Sequence, residues 1–120
     1  MVLGRCDYHW KHEVCWYGYI GKKHKWNGER TKVSVWDIKK QNISDLHPTM
    51  KPIELAETAC KNSTDIGDNV IDLFGGSGST LIACEKLKRR CFMMELDPKY
   101  CDVIIKRYEN YSGKKAVREN

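Results

Sequence analysis

Three stretches of this 120-residue chain place reactive or ligand-binding side chains at usable spacings. The first is DLFGGSGST, Asp72 to Thr80, in which three glycines and three hydroxyl side chains follow an apolar run. A chain keeps that much backbone freedom where something must lie against bare main chain. The second is an acid, Glu95, nineteen residues after Gly76 at the end of the apolar run CFMMEL. The third is the front of the chain. There CDYHWKHEVC spaces Cys6, His9, His12 and Cys15 by threes, and GYIGKKHKWNGER mixes Lys22, Lys23, Lys25 and Arg30 with Tyr19 and Trp26.

Each stretch has a limited set of ligands. A phosphate-binding loop needs a Lys after its last Gly, and here Ser79 and Thr80 follow Gly78 directly, which excludes it. A dinucleotide fingerprint needs a third Gly where this chain has Leu81, which disfavours that reading without closing it. A nucleoside without a pyrophosphate, such as S-adenosylmethionine, needs close backbone approach and an acid for the ribose hydroxyls. Glu95 lies near the roughly 20-residue interval at which such an acid follows the loop. The Cys and His array lacks the long insert of a zinc finger, and in a strand a period of three scatters side chains over both faces, so no metal is expected. The basic run suits phosphates through its cations and bases through its rings. Its alternative is a solvated hairpin tip.

The elements that would carry these groups follow from local signals. NVIDLF, Asn69 to Phe74, reads as a buried parallel strand running into the glycine loop. From about Ser79 to Leu87 a helix turns Leu81, Ile82, Cys84 and Leu87 inward, and KLKRR closes it. A second strand, Cys91 to Leu96, ends in the acid. Asp97 then caps a helix with Pro98 in its first turn and Tyr100, Val103, Ile104, Tyr108 and Tyr111 on one side. The result is a parallel, right-handed βαβα unit. Ahead of it KPIELAETACKN forms another helix, with Pro52 at its first position and Ile53, Ala56, Ala59 and Cys60 on one face. In the front, HEVCWYGYI and TKVSVWDI alternate like an antiparallel strand pair with a long basic connection.

Composition divides the chain at the same place. Residues 1–52 hold ten Lys and Arg against five Asp and Glu, and all four Trp, whereas the rest is balanced at eleven against eleven. We therefore read residues 1–51 as a basic aromatic section of strands and loop, 52–111 as a ligand-binding αβαβα section, and 112–120 as a disordered tail. No apolar run reaches the ~20 residues of a membrane span, and the first residues lack a secretory core. A cytoplasmic protein with no membrane partner and with six reduced cysteines is the expectation.

HPTMKP (His47 to Pro52), DLFGGSGST and MELDPKY (Met94 to Tyr100), in that order, resemble the β class of the DNA amino-methyltransferases, which methylate adenine N6 or cytosine N4. The resemblance implies a circularly permuted, Rossmann-like S-adenosylmethionine-dependent methyltransferase fold of which this chain is part. It implies that Asp72, Phe74, Gly75, Gly76, Ser77 and Gly78 form the cofactor loop and that Glu95 holds the ribose. Thr49 and Lys51 close the pocket, Lys51 offering a cation to the cofactor carboxylate. Met94 departs from the smaller residue that the family often has before the acid. The resemblance also assigns Lys22, Lys23, Lys25 and Arg30 to double-stranded DNA.

The family's catalytic motif, an Asp, Asn or Ser followed by Pro-Pro and an aromatic residue, is not in this chain, whose three prolines are never adjacent. No catalytic residue is therefore assigned. The resemblance places that motif in an upstream catalytic half. The chain is expected to be inactive alone and to expose a sheet edge that invites a homodimer. Adenine N6 is favoured over cytosine N4. The competing function is a non-catalytic nucleic-acid-binding module with a vestigial cofactor fold.

Overall fold

The computed structural model describes residues 7–39 and 50–119. Regular structure begins with α1 (Ile53–Ser63), followed by β1 (Asn69–Asp72), α2 (Ser79–Leu87), β2 (Arg90–Met93) and α3 (Pro98–Ser112). β1 and β2 pair in parallel with Val70 opposite Cys91 and Asp72 opposite Met93. The expected α/β unit is present. The strands are shorter than the apolar runs that suggested them, but pairing continues past their ends. Met94 N–H donates to Asp72 O at 2.9 Å, and Gly75 N–H donates to Met94 O at 2.8 Å. This extension delivers the glycine loop and Glu95 to the same end of the sheet.

Local chemistry sets the helix boundaries. Pro52 is extended (φ −59°, ψ 136°) and precedes α1 as its N-cap, so the helix starts one residue later than the sequence suggested. The stripe that α1 buries includes Glu57 and Cys60, while Ala59, expected inward, is exposed. At about 100° per residue, positions 53, 56, 57 and 60 share a face and 59 falls outside it. Asp97 caps α3 by accepting from Lys99 N–H at 2.9 Å, with Pro98 next to it, and Gly113 (φ 70°) ends it. α2 ends at Lys88, which adopts the left-handed conformation (φ 58°) that normally selects Gly.

The core is small: Cys60, Ile82, Ala83, Cys84 and Ile104 are its buried apolar residues. The described cysteines are free thiols. Burial pushes the Cys60 and Cys84 thiols up to about 11, so both pack as neutral groups. Glu57 lies among them at the helix interface. Burial works to raise its carboxyl, but the Lys86 ammonium, 2.7 Å away, and Lys61 outweigh it and hold it low.

Two expectations are overturned. Parallel strands are usually covered on both faces. Here the side of the sheet bearing Val70, Asp72, Cys91 and Met93 is half-buried, while Ile71 and Phe92, side by side on the other, are 72% and 54% exposed. Second, residues 12–20 and 31–38 form no strand, and none of residues 7–39 is in regular structure. Their alternating pattern has no second strand to pair with among the described residues, and Trp16 and Ile20 stand almost fully in solvent. The front section is nevertheless attached. Asn27 N–H donates to Asn62 O at 2.7 Å, and its side chain donates to Thr64 O and to Asp65. The expected tail is irregular beyond Gly113, although Lys114 pairs with Glu85 and Ala116 N–H donates to Glu109.

Candidate functional site

The glycine loop bridges β1 and α2, and its three glycines do different things. A Cβ on Gly75 would sit 2.7 Å from the Met93 side chain. One on Gly78 (φ 80°) would sit 3.2 Å from Ile104. These two let the loop rest on β2 and α3. Gly76 (φ 54°) also needs the left-handed conformation, yet beyond its chain neighbours only the Phe74 carbonyl, at 3.9 Å, approaches its missing Cβ among the described residues. The close approach reserved at Gly76 is therefore open.

Glu95 reaches that glycine. Its Oε2 accepts from Gly76 N–H at 2.7 Å and its Oε1 accepts from Asp97 N–H at 2.9 Å. These donors, the Asp97 N–H first and then the Gly76 N–H, hold the Glu95 carboxyl below its usual range. An ionised carboxylate has about four acceptor positions. The Asp97 and Gly76 N–H groups take two of them, with a smaller contribution from Leu96, and capacity remains for a hydroxyl. Asp72 closes the turn on the opposite strand by accepting from Phe74 N–H at 3.0 Å.

A cleft of about 280 Å³ opens beside the loop, lined by Lys51, Asp72, Phe74, Gly75, Gly76, Ser77, Ser79, Thr80 and Tyr100. This is near the lower end of small-molecule sites. The Phe74 ring is 88% exposed at its rim. Lys51 reaches the cleft from the segment before α1 and pairs with Glu13. Its main-chain carbonyl accepts from Ser79 Oγ at 2.6 Å, which fixes that segment to the start of α2. A larger groove of about 450 Å³ runs past Glu54, Glu57, Lys61, Lys86 and Tyr111. Glu57 there is bound to Lys61 and Lys86, which reads as structural pairing.

The structure thus gathers Lys51, Asp72, Phe74, Gly75, Gly76 and Ser77 around one cleft, with Glu95 bound to Gly76 and Gly78 forming the loop's floor. Thr49 lies outside the described residues. The basic candidates divide. Lys25 bridges Asp65 at 2.7 Å and Asp68 at 2.9 Å, whereas Lys22, Lys23 and Arg30 are exposed without an ion pair among the described residues. Sequence reasoning missed Arg107, whose guanidinium donates to the Ser77 carbonyl. Its only signal was a place on the apolar stripe of α3, one turn from Ile104 and Tyr111. Cys6, of the spaced Cys and His array, is outside the described residues.

A model of the N6/N4 DNA methylase family matches residues 9–107. The type II methyltransferase M.Cfr9I of Citrobacter freundii is 32% identical over 82 residues, covering 68% of this chain and 27% of its own length. M2.DpnII of Streptococcus pneumoniae is 37% identical over 92 residues, covering 74% and 32%. The solved complex of M1.HpyAVI with S-adenosylmethionine superposes with a TM-score of 0.59 at 29% identity, over 71% of this chain and 43% of that one. The cytosine-N4-specific PvuII DNA methyltransferase gives a TM-score of 0.50 at 32% identity, over 52% and 22%. The chain spans about a third or less of these two curated relatives.

Proposed function

The chain belongs to the N6/N4 DNA methylase family, and on that premise we propose that it is the portion of a DNA methyltransferase that holds S-adenosylmethionine. One observation carries the reading: the ionised Glu95 is fixed against Gly76, the glycine whose missing side chain leaves open space. The residues fit the ligand. Glu95 has acceptor capacity for the ribose hydroxyls, and the exposed Phe74 ring offers a surface for the adenine. Lys51 offers a cation for the carboxylate, shared with Glu13. When bound, the cofactor supplies an activated methyl group. This chain contributes position and orientation, which are worth several kcal/mol of a transfer barrier by themselves.

The acceptor is an exocyclic amino group on DNA, with adenine N6 ahead of cytosine N4. The groups that contact the flipped base belong to an upstream catalytic half, without which the chain is inactive. Lys22, Lys23 and Arg30 face the duplex backbone, since their charges are uncommitted among the described residues. Lys25, bound to Asp65 and Asp68, sets the course of that segment.

Titration calorimetry of the chain with S-adenosylmethionine tests the reading. Binding is expected at one molecule per chain, unaffected by excess NADH. Glu95→Gln should weaken it roughly tenfold or more, the worth of a hydrogen bond to a charged group. Absence of heat would leave a nucleic-acid-binding module with a vestigial cofactor fold as the better account. Mass spectrometry of nucleosides methylated by the complete protein then identifies the target base.

A further inference from the structure

Among the described residues two arginines, Arg89 and Arg107, are half-buried with carbonyl and hydroxyl acceptors but no carboxylate partner, and of these Arg107 is the one bound to the glycine loop. It projects from the middle of α3 and is half-buried beneath the glycine loop. Its Nη1 donates to the Ser77 carbonyl at 2.9 Å, and also reaches Ser77 Oγ at 3.2 Å and Ser79 Oγ at 3.3 Å. No carboxylate pairs with it among the described residues. Burial without a counter-charge draws the guanidinium below its usual range, an unfavourable setting for a group meant only to lend stability. Nor is Arg107 among the residues that line the cleft.

What it touches are three groups that do shape the cleft. The Ser77 carbonyl sets the plane of the peptide between Ser77 and Gly78, whose N–H donates to Gly75 O at 2.8 Å. Rotation of that peptide would undo the turn that presents Gly76. The Ser79 hydroxyl, 7% exposed, accepts from Arg107 while giving its own proton to the Lys51 carbonyl. Arg107 is therefore linked through one hydroxyl to the segment that carries Lys51. One turn earlier on the same helix, Ile104 fills the space beneath Gly75 and Gly78. α3 thus supplies both the apolar floor of the loop and the donor that orients its carbonyl.

The geometry points to Arg107 as a positioning residue for the cofactor site: it orients the Ser77–Gly78 peptide and, through Ser79, registers Lys51 against the loop. This inference rests on the cofactor reading above. An arginine suits the task because the planar guanidinium fixes the directions of the N–H bonds on Nη1, the atom that meets all three acceptors, whereas a lysine ammonium rotates freely.

Calorimetry with S-adenosylmethionine, alongside urea unfolding, tests the role on the unaltered chain, Arg107→Met, Arg107→Lys and Ser79→Ala. Arg107→Met is expected to raise Kd roughly ten- to hundredfold at unchanged stoichiometry, with Arg107→Lys between it and the parent. The losses in Arg107→Met and Ser79→Ala should overlap when the two are combined. Unchanged affinity in Arg107→Met overturns the inference. So does a loss of binding that appears only as fewer competent molecules of parental affinity, the mark of a merely structural role. If Arg107→Met does not fold, Arg107→Lys and Ser79→Ala decide on the same criteria. If the unaltered chain itself gives no heat, the cofactor reading fails separately. Amide exchange in the ligand-free chain then decides the Arg107 role: faster exchange from Gly76 to Ser79 in Arg107→Lys supports it, and unchanged exchange overturns it.

Discussion

Glu95 shows how one side chain is prepared by its surroundings. Main-chain donors of Asp97 and Gly76 bind both of its oxygens and lower its pKa, so folding favours the ionised form. The sign follows directly. Above the ordinary carboxylate value the stabilisation is complete, and it disappears as pH falls through the lower value of the folded state. Glu95→Gln should therefore remove part of the acid-side loss of stability, measured by urea unfolding at a series of pH values below about 5. A parental acid limb in the variant would refute this. The position of Glu95 was legible, because the interval from Gly76 and the end of an apolar run are both written in the sequence. The division among the glycines was not. Gly75 and Gly78 answer to Met93 and Ile104, residues far along the chain whose approach only the fold creates. Arg107 was hidden for the same reason: its helix was legible, but its acceptors lie thirty residues away.

At the scale of elements, local punctuation decided what could be read. Asp97-Pro98 opens α3 and Gly113 ends it, as a cap, a first-turn proline and a terminal glycine should. The end of α2 breaks that rule with Lys88 at φ 58°. Lys88→Gly should accordingly stabilise the chain by roughly 0.5–1 kcal/mol, read as a higher urea midpoint at unchanged slope, whereas Lys88→Ala should give no such gain. The front section failed as a strand reading because alternation records a preference for a sheet without supplying one. Trp10, Val14, Trp16, Val33 and Val35 remain exposed, and among the described residues the segment is held mainly by polar contacts from Lys25 and Asn27 to the loop after α1.

For the whole molecule, the uncovered side of the sheet matters most. Ile71 and Phe92 lie in register, and Leu73 and Met94, one alternation further on, are also more than half exposed. Patches of this kind drive association. Each strand also has an unpaired outer edge among the described residues, the feature on which the expected homodimer or the docking of an upstream half would depend. Changing Ile71 and Phe92 together to Thr, which keeps strand preference but removes apolar area, should weaken concentration-dependent self-association in sedimentation without lowering the unfolding free energy by more than about 1 kcal/mol. Equal association of parent and variant would exclude this face as the cause. The half-covered sheet also has a calorimetric consequence. Heat capacity rises on unfolding in proportion to the apolar surface newly wetted, and here much of that surface is wet beforehand. The increment should fall well short of the usual ~12–15 cal/mol/K per residue, giving a shallow stability curve. A partner that covers Ile71 and Phe92 would steepen that curve before adding any chemistry.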